Sequence, residues 1–375
     1  MNPVLGIIIK LFVTFFLSLA ITPIVRLFAF KIGATDKPDA RRINTTVMPT
    51  IGGLAIFLSF VISSLFIFNN FIPNDYIIPI IIAASVIIIT GIIDDTKELS
   101  PKGKLIGIII AACIAYFFAD ISMESFTLPF FGNIQLGVLS FPATLLWILA
   151  LTNAVNLIDG LDGLASGVSL IALTTMGIIA NFFIPSSNFH VTLTIFILIA
   201  SIAGFFPYNF QPAKIFLGDT GALFLGFMIA IMSLQDLKNV TIVSLITPLV
   251  ILGVPITDTV FAIIRRYINK QKISSADKMH LHHRLLSLGF THRGAVLTIY
   301  GLAMLFSFTA ILITYAGTLG GLLLVILLLF GIELFVELIG LVGPKKQFML
   351  NLFGRWFGKK KNNEDITRSS NNDDD

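Results

Sequence analysis

Apolar runs of about 20 residues recur from the N-terminus to about residue 342, each long enough to cross roughly 30 Å of hydrocarbon as an α-helix. Inside a bilayer the backbone must satisfy its own hydrogen bonds, which restricts spanning structure to helices or closed barrels. The expected fold is therefore an all-α polytopic membrane protein. Composition agrees: 56% of residues are hydrophobic and 12% charged, against roughly 25% charged in an ordinary soluble domain. Eleven helices are predicted, at 3–28, 51–68, 77–93, 105–119, 140–156, 164–183, 191–207, 222–235, 241–264, 295–316 and 319–342. The first run is too long for a signal-peptide core and lacks a small-residue cleavage site, so it is expected to be retained. No separate soluble domain fits, which leaves a membrane domain over 1–343 and a tail over 344–375. The lone Cys113 cannot form an internal disulfide.

Charge sets the orientation. Of the 25 Lys and Arg residues, all but Lys10, inside the first run, and Lys238 fall in alternate segments on one side. The positive-inside bias makes that side cytoplasmic, with the N-terminus outside and the C-terminus inside. The net charge of +4 is thereby accounted for by topology, and no nucleic-acid partner is implied. In the tail, Phe348, Leu352 and Trp356 recur at helical spacing beside Lys345, Lys346 and Lys359, which suits a helix lying in an anionic leaflet. The acidic end beyond it reads as disordered.

The chain has only 21 acids, and most Asp residues gather at the cytoplasmic ends of the runs. A charge at mid-membrane costs about 3 kcal/mol on insertion scales and usually marks function. Four clusters stand out. G-I-I-D-D-T-K-E-L-S-P-K-G-K holds Asp94, Asp95, Lys97, Lys102 and Lys104. Adjacent carboxylates repel, so the pair needs a cation or has one pKa raised toward that of a base; a charged stop to the helix is the other reading. T-N-A-V-N-L-I-D-G-L-D-G-L-A carries Asn153, Asn156, Asp159 and Asp162. These are hard oxygen ligands of the kind Mg²⁺ takes, and also partners for a nucleotide; a polar turn with side-chain caps would need fewer of them. Y-N-F-Q-P-A-K-I-F-L-G-D-T-G-A-L holds Asn209, Lys214, Phe216, Asp219 and Thr220, where Asp219 is placed to cap the following helix as well as to bind a metal, two compatible readings.

The fourth cluster is the longest inner loop, with Asp277, Lys278, His280, His282, His283, Arg284, His292 and Arg293. No cysteine or nearby acid completes a tetrahedral zinc set there. An anion clamp for a pyrophosphate, or a solvated basic loop, remains. Asp258, inside the ninth run seven residues before Arg265, pairs with an arginine or acts in catalysis. Glu333 and Glu337 share a helix face. His190, on the outer side, has no polar company in sequence.

Taken together the clusters resemble the polyprenyl-phosphate N-acetylhexosamine 1-phosphate transferase family, and within it the bacterial undecaprenyl-phosphate GlcNAc 1-phosphate transferases. D-D, N-A-V-N-L-I-D-G-L-D-G, F-L-G-D-T-G and H-L-H-H occur in the family's order, each on the side the charge bias makes cytoplasmic. The resemblance implies a membrane enzyme that moves GlcNAc 1-phosphate from UDP-GlcNAc to undecaprenyl phosphate, with release of UMP. It implies Mg²⁺, with Mn²⁺ as the alternative, and it is compatible with a homodimer. It makes Asp219 and Asn156 metal ligands. Asp94 or Asp95 would orient or deprotonate the lipid phosphate, with Asp159 catalytic beside them. Lys104 would hold phosphate oxygens, and Phe216, Asn209 and Asp162 would contact the uracil, near Asn153. His282, with His280, His283 and Arg293, would contact the diphosphate. Lys104 and the reading H-L-H-H-R favour the GlcNAc branch over enzymes taking UDP-MurNAc-pentapeptide, while Asn44 stands where many GlcNAc-type relatives have histidine. A transporter would place its acids near the midplane of broken helices, whereas these sit at one face.

Overall fold

The computed structural model describes residues 3–37, 46–128, 132–183, 188–235, 248–268, 270 and 280–340. The expectations placed on Asn44, Lys238, Asp277, Lys278 and the tail at 344–375 lie outside these residues. The chain forms two compact units. Met1–Val325 carries the site, and Ile326–Asp375 holds the second half of the last helix.

In chain order the elements are α1 (Pro3–Ile32), a ribbon of β1 (Thr35–Asp36) and β2 (Met48–Pro49), α2 (Gly53–Ile62) continued by a π-turn at Ser63–Ile67, α3 (Asn74–Lys97) and α4 (Pro101–Phe118). There follow a second ribbon of β3 (Ser125–Leu128) and β4 (Gly132–Gln135), then α5 (Ser140–Ile158), α6 (Leu164–Phe183), α7 (Phe189–Asn209) and α8 (Gly218–Gln235). The last four are α9 (Gly253–Ile268), a short α10 (Leu281–Ser287), α11 (His292–Tyr315) and α12 (Gly317–Ile339). Both ribbons are antiparallel, with Thr35 opposite Pro49 and Ser125 opposite Gln135. They are the departure from a purely helical chain.

A helix occupies each predicted run, that at 241–264 over its described part only. Among the described residues nine helices are long and apolar enough to cross a membrane. The other two runs yield the shorter α2 and α9, of 10 and 16 residues. Large apolar side chains are exposed along α1 (Leu5, Phe12, Phe16, Leu27) and α11 (Leu297, Met304, Phe308). This is the reverse of a soluble surface, and it is what helices solvated by acyl chains present.

The helix α8 lies at the centre, buried at every residue from Thr220 to Leu234 and packed by α2, α3, α5 and α6. Its first turn is approached at backbone distance. A Cβ on Gly53 would lie 2.0 Å from Gly221 Cα, and one on Gly91 would lie 2.3 Å from Thr220 Cα. Such small-residue contacts are how membrane helices pack without a hydrophobic driving force. Phe57 and Phe60 then meet Phe224 edge-on, with centroids 5.6 and 6.4 Å apart.

Two isolated polar residues of the apolar runs find partners. Lys10 donates to the Ile67 carbonyl at 2.7 Å, and its ammonium lies 4.6 Å from the Phe71 ring centroid. His190, which the sequence leaves without polar company, meets Tyr76 edge-on at 4.5 Å, and Tyr76 in turn donates to Gln235 at 2.6 Å.

Candidate active site

The site begins where α3 stops. Glu98 takes a left-handed conformation, φ 50°, and returns its N–H to the Asp94 carbonyl at 2.9 Å. Ser100 then caps α4, its Oγ accepting the Gly103 N–H at 3.3 Å, with Pro101 opening the helix. This short turn folds Lys104 back over the end of α3. Its Nζ sits 2.6 Å from Asp94 Oδ2 and 2.9 Å from Asp219 Oδ2, on the first turn of α8. Asp94 also accepts the Leu99 N–H at 2.7 Å.

The neighbouring Asp95 has a different task. Its Oδ1 accepts the Asp219 N–H at 3.1 Å, and its Oδ2 accepts the Thr220 N–H at 3.0 Å and the Thr220 hydroxyl at 2.6 Å. The cap of α8 thus comes from another helix. Asp219, which the sequence allows as that cap, is free to point its carboxylate toward Lys104, and it accepts from Asn156 on α5. Gly218 makes the geometry possible: at φ +72° a Cβ would stand 1.5 Å from the Thr50 carbonyl oxygen and 2.7 Å from Asp95 Oδ2.

The loop between α5 and α6 divides its polar residues between two jobs. Asp162 Oδ2 accepts the Ala213 N–H at 3.0 Å, and its own N–H reaches His292 Nε2 at 3.1 Å. Asn209 accepts from Ser166 at 2.6 Å and donates to the Ile215 carbonyl at 3.1 Å. Tyr300 donates to the Gly163 carbonyl. These groups knit the loop to the segment before α8 and to α11. Asp159 is the contrasting member. Burial pushes its carboxyl well above the usual carboxylate range, and the charges of Asp219, Asp95 and Asp162 push it the same way.

The histidines also separate. His280, 6% exposed, places Nδ1 3.0 Å from Oδ2 of Asp258, whose Oδ1 accepts the Leu281 N–H at 2.9 Å. His282 stacks parallel to His280 at 6.1 Å and lies 4.2 Å from the His283 ring. Burial, reinforced by His283, lowers its pKa to about 3. Burial thus favours the uncharged imidazole at His282.

These groups line a cleft of about 790 Å³. All the predicted site residues lie on it except Asn153, His280 and Arg293. Asn153 donates to the Leu149 carbonyl of its own helix at 2.7 Å. Arg293 reaches the Gln211 carbonyl at 3.4 Å and lies over Phe210. Phe216 is half-buried on the cleft wall, and its backbone pairs with Pro49 and Gly52. The sequence reading missed the first ribbon, which contributes Thr35, Asp36 and Met48 to the wall, with Thr46 and Thr50 flanking its second strand. Asp36 follows its apolar run as the other acids follow theirs, so the same criterion would have found it.

The donor set suits a hard divalent cation. Asp94 and Asp219 share the ammonium of Lys104, while Asp159 has no such counterion among the described residues. Among the described residues no three His, Cys, Asp or Glu side chains converge to chelate an ion by themselves. Mg²⁺ commonly takes one or two protein carboxylates, with water and phosphate oxygens filling the rest of its shell. Asp219 and Asn156 fit that use, since a half-turn of the carboxamide presents its oxygen in place of its nitrogen.

Fold and site together define a polytopic helical membrane protein whose acid-lined cleft lies at one end of its helices. Residues 77–236, from α3 to α8, match glycosyl transferase family 4. Over 341 residues the chain is 43% identical to the "Probable undecaprenyl-phosphate N-acetylglucosaminyl 1-phosphate transferase" of Bacillus subtilis strain 168, covering 90% of this chain and 94% of that one. It is 32% identical to the decaprenyl-phosphate N-acetylglucosaminephosphotransferase of Mycobacterium tuberculosis, over 74% of each chain. It is 28% identical to the undecaprenyl-phosphate alpha-N-acetylglucosaminyl 1-phosphate transferase of Salmonella typhi, over 96% of this chain and 97% of that one. The chain belongs to glycosyl transferase family 4 and is an enzyme of the glycosyl-1-phosphate transferase type.

Proposed function

We propose that the chain transfers GlcNAc 1-phosphate from UDP-GlcNAc to undecaprenyl phosphate, giving undecaprenyl-diphospho-GlcNAc and UMP, as the first membrane step of a cell-envelope polymer such as a teichoic acid or another surface glycan. One observation carries the reading. Asp94, Lys104, Asn156, Asp159 and Asp219 meet at one end of lipid-solvated helices, where a bilayer-anchored acceptor and a soluble donor can both reach. The names of the relatives support a GlcNAc phosphate donor and a polyprenyl phosphate acceptor. The charge bias supports eleven spans, counting α2 and α9, in a bacterial cytoplasmic membrane, with the cleft and the tail at 344–375 on the cytoplasmic face.

In this reaction an oxygen of the lipid phosphate attacks the phosphorus that bears the sugar, and the bond to the bridging oxygen breaks, which leaves with UMP. Both reactants are anions, so catalysis is mostly alignment and neutralisation. Lys104 brings its ammonium to the reacting phosphates, held in place by Asp94. Asp219 and Asn156 would hold Mg²⁺, or Mn²⁺ in its place, which supplies further neutralisation of phosphate charge. Asp95 keeps Asp219 in position through the α8 cap. His282 offers a neutral ring nitrogen to a phosphate oxygen. Phe216 stacks on the uracil, and Asp162 and Asn209 shape the loops around it. A dedicated base is unnecessary, because a lipid phosphate is already largely ionised near neutral pH.

The test is incubation of purified protein with undecaprenyl phosphate and labelled UDP-GlcNAc or UDP-MurNAc-pentapeptide, following UMP and glycolipid. Mg²⁺-dependent product from UDP-GlcNAc is expected. Product from the pentapeptide donor alone would overturn the choice of sugar.

A further inference from the structure

Asp258 lies outside the cleft, 1% exposed on α9, yet both of its oxygens are engaged by the segment that enters the cleft. Oδ1 of Asp258 accepts the Leu281 N–H and Oδ2 faces Nδ1 of His280, so the carboxylate, the ring and the start of α10 form one hydrogen-bonded unit. His280 is itself buried behind the wall, whereas His282 and His283, two and three residues on, are on it. The contact continues inward. The His282 ring fills the space a side chain on Gly160 would take, since a Cβ there would lie 2.2 Å from Nε2, and Gly160 adjoins Asp159. A carboxylate buried on α9 thus grips the start of α10, and α10 presses its imidazole onto the acid-bearing loop. Removing Asp258 leaves His280 and the Leu281 N–H buried without their acceptor, and removing His280 leaves one Asp258 oxygen buried without its partner, a cost that α10 relieves by shifting from its seat.

We infer that Asp258 and His280 are positioning residues: their pair seats α10, and through His282 on Gly160 it places the Asp159 loop, with neither residue touching substrate. The inference rests on the transferase reading above.

The test compares Asp258→Ala, Asp258→Asn, His280→Ala, His280→Asn and the double alanine variant in the UDP-GlcNAc assay. Asparagine at 280 keeps a donor near the Nδ1 position but lacks the rest of the ring. A misplaced catalytic group costs about 100-fold, so both single alanine variants should lose that much in kcat. The donor KM should stay within about threefold. His280→Asn and Asp258→Asn should retain at least about a tenth of wild-type kcat, and the double variant should fall no lower than Asp258→Ala. His280→Asn as inactive as His280→Ala would mean that the ring itself acts, and would overturn the inference. So would wild-type activity in Asp258→Ala.

A second readout needs no turnover. In a Cys113→Ser background, a cysteine replacing the buried Leu285 reports the seating of α10 by its rate of maleimide labelling. The alanine variants should label at least about fivefold faster than His280→Asn; equal rates would overturn the inference. If Asp258→Ala does not stay monodisperse in detergent, the two His280 variants decide alone. If the wild type makes no product, the transferase reading fails and labelling judges the seating of α10.

Discussion

At the scale of single residues, the aspartate pair after α3 carries two roles that a motif cannot separate. Asp94 faces Lys104 and Asp95 caps α8. Asp95→Ala should therefore destabilise the protein by about 1–2 kcal/mol, as the loss of a helix cap does, seen as a lowered unfolding temperature in detergent. Asp95→Asn, whose oxygen accepts one of the two N–H groups, should recover about half of that loss. An alanine variant as stable as wild type would contradict the cap. His282 supports a prediction about pH. With its pKa held at about 3, well under the ordinary histidine value, it gains a proton only in strong acid and stays neutral through the assay range. The pH profile of kcat should have the same shape in His282→Gln as in wild type, at about 10- to 100-fold lower height. An inflection between pH 6 and 7 that disappears in the variant would show that the imidazolium acts.

Among the elements, α8 decides the geometry, because its first turn holds Asp219 and its neighbours approach without side chains between. Gly91→Val should separate α3 from α8 at Thr220, so that little protein is recovered folded from membranes; recovery equal to wild type would contradict the close packing. Much of this level was legible in the sequence. Runs of apolar residues locate the helices, because lipid demands length and continuity, though the run expected from 105 begins at Pro101, where Ser100 caps α4. The polar segments were less legible, since a side chain that binds a ligand and one that ties loops together have the same chemistry. Asp162 and Asn209, expected as nucleotide contacts, line the cleft and also hydrogen-bond to Ala213, Ser166 and Ile215. The link from Asp258 to His280 joins residues 22 apart in the chain, and no local pattern encodes it. The ribbon strands, two residues each for β1 and β2, are too short to have a period.

Across the whole molecule, the proposed function makes the asymmetry of charge and the gathering of acids at one end a single design, a face that would meet soluble nucleotide beside a bilayer holding the lipid. A cysteine at the exposed Ser287, in a Cys113→Ser background, should react with a membrane-impermeant maleimide in inside-out vesicles and not in intact cells. The reverse pattern would place the cleft outside. In the proposed function Asp219, held by the cap from Asp95 and faced by Lys104 and Asn156, is the pivot of phosphoryl transfer. This central claim is tested most directly by Asp219→Ala, assayed for UMP release from UDP-GlcNAc with undecaprenyl phosphate and Mg²⁺. The variant should keep the elution profile of wild type in detergent and lose at least about 1,000-fold in kcat. A folded variant that turns over within about tenfold of wild type would contradict the account.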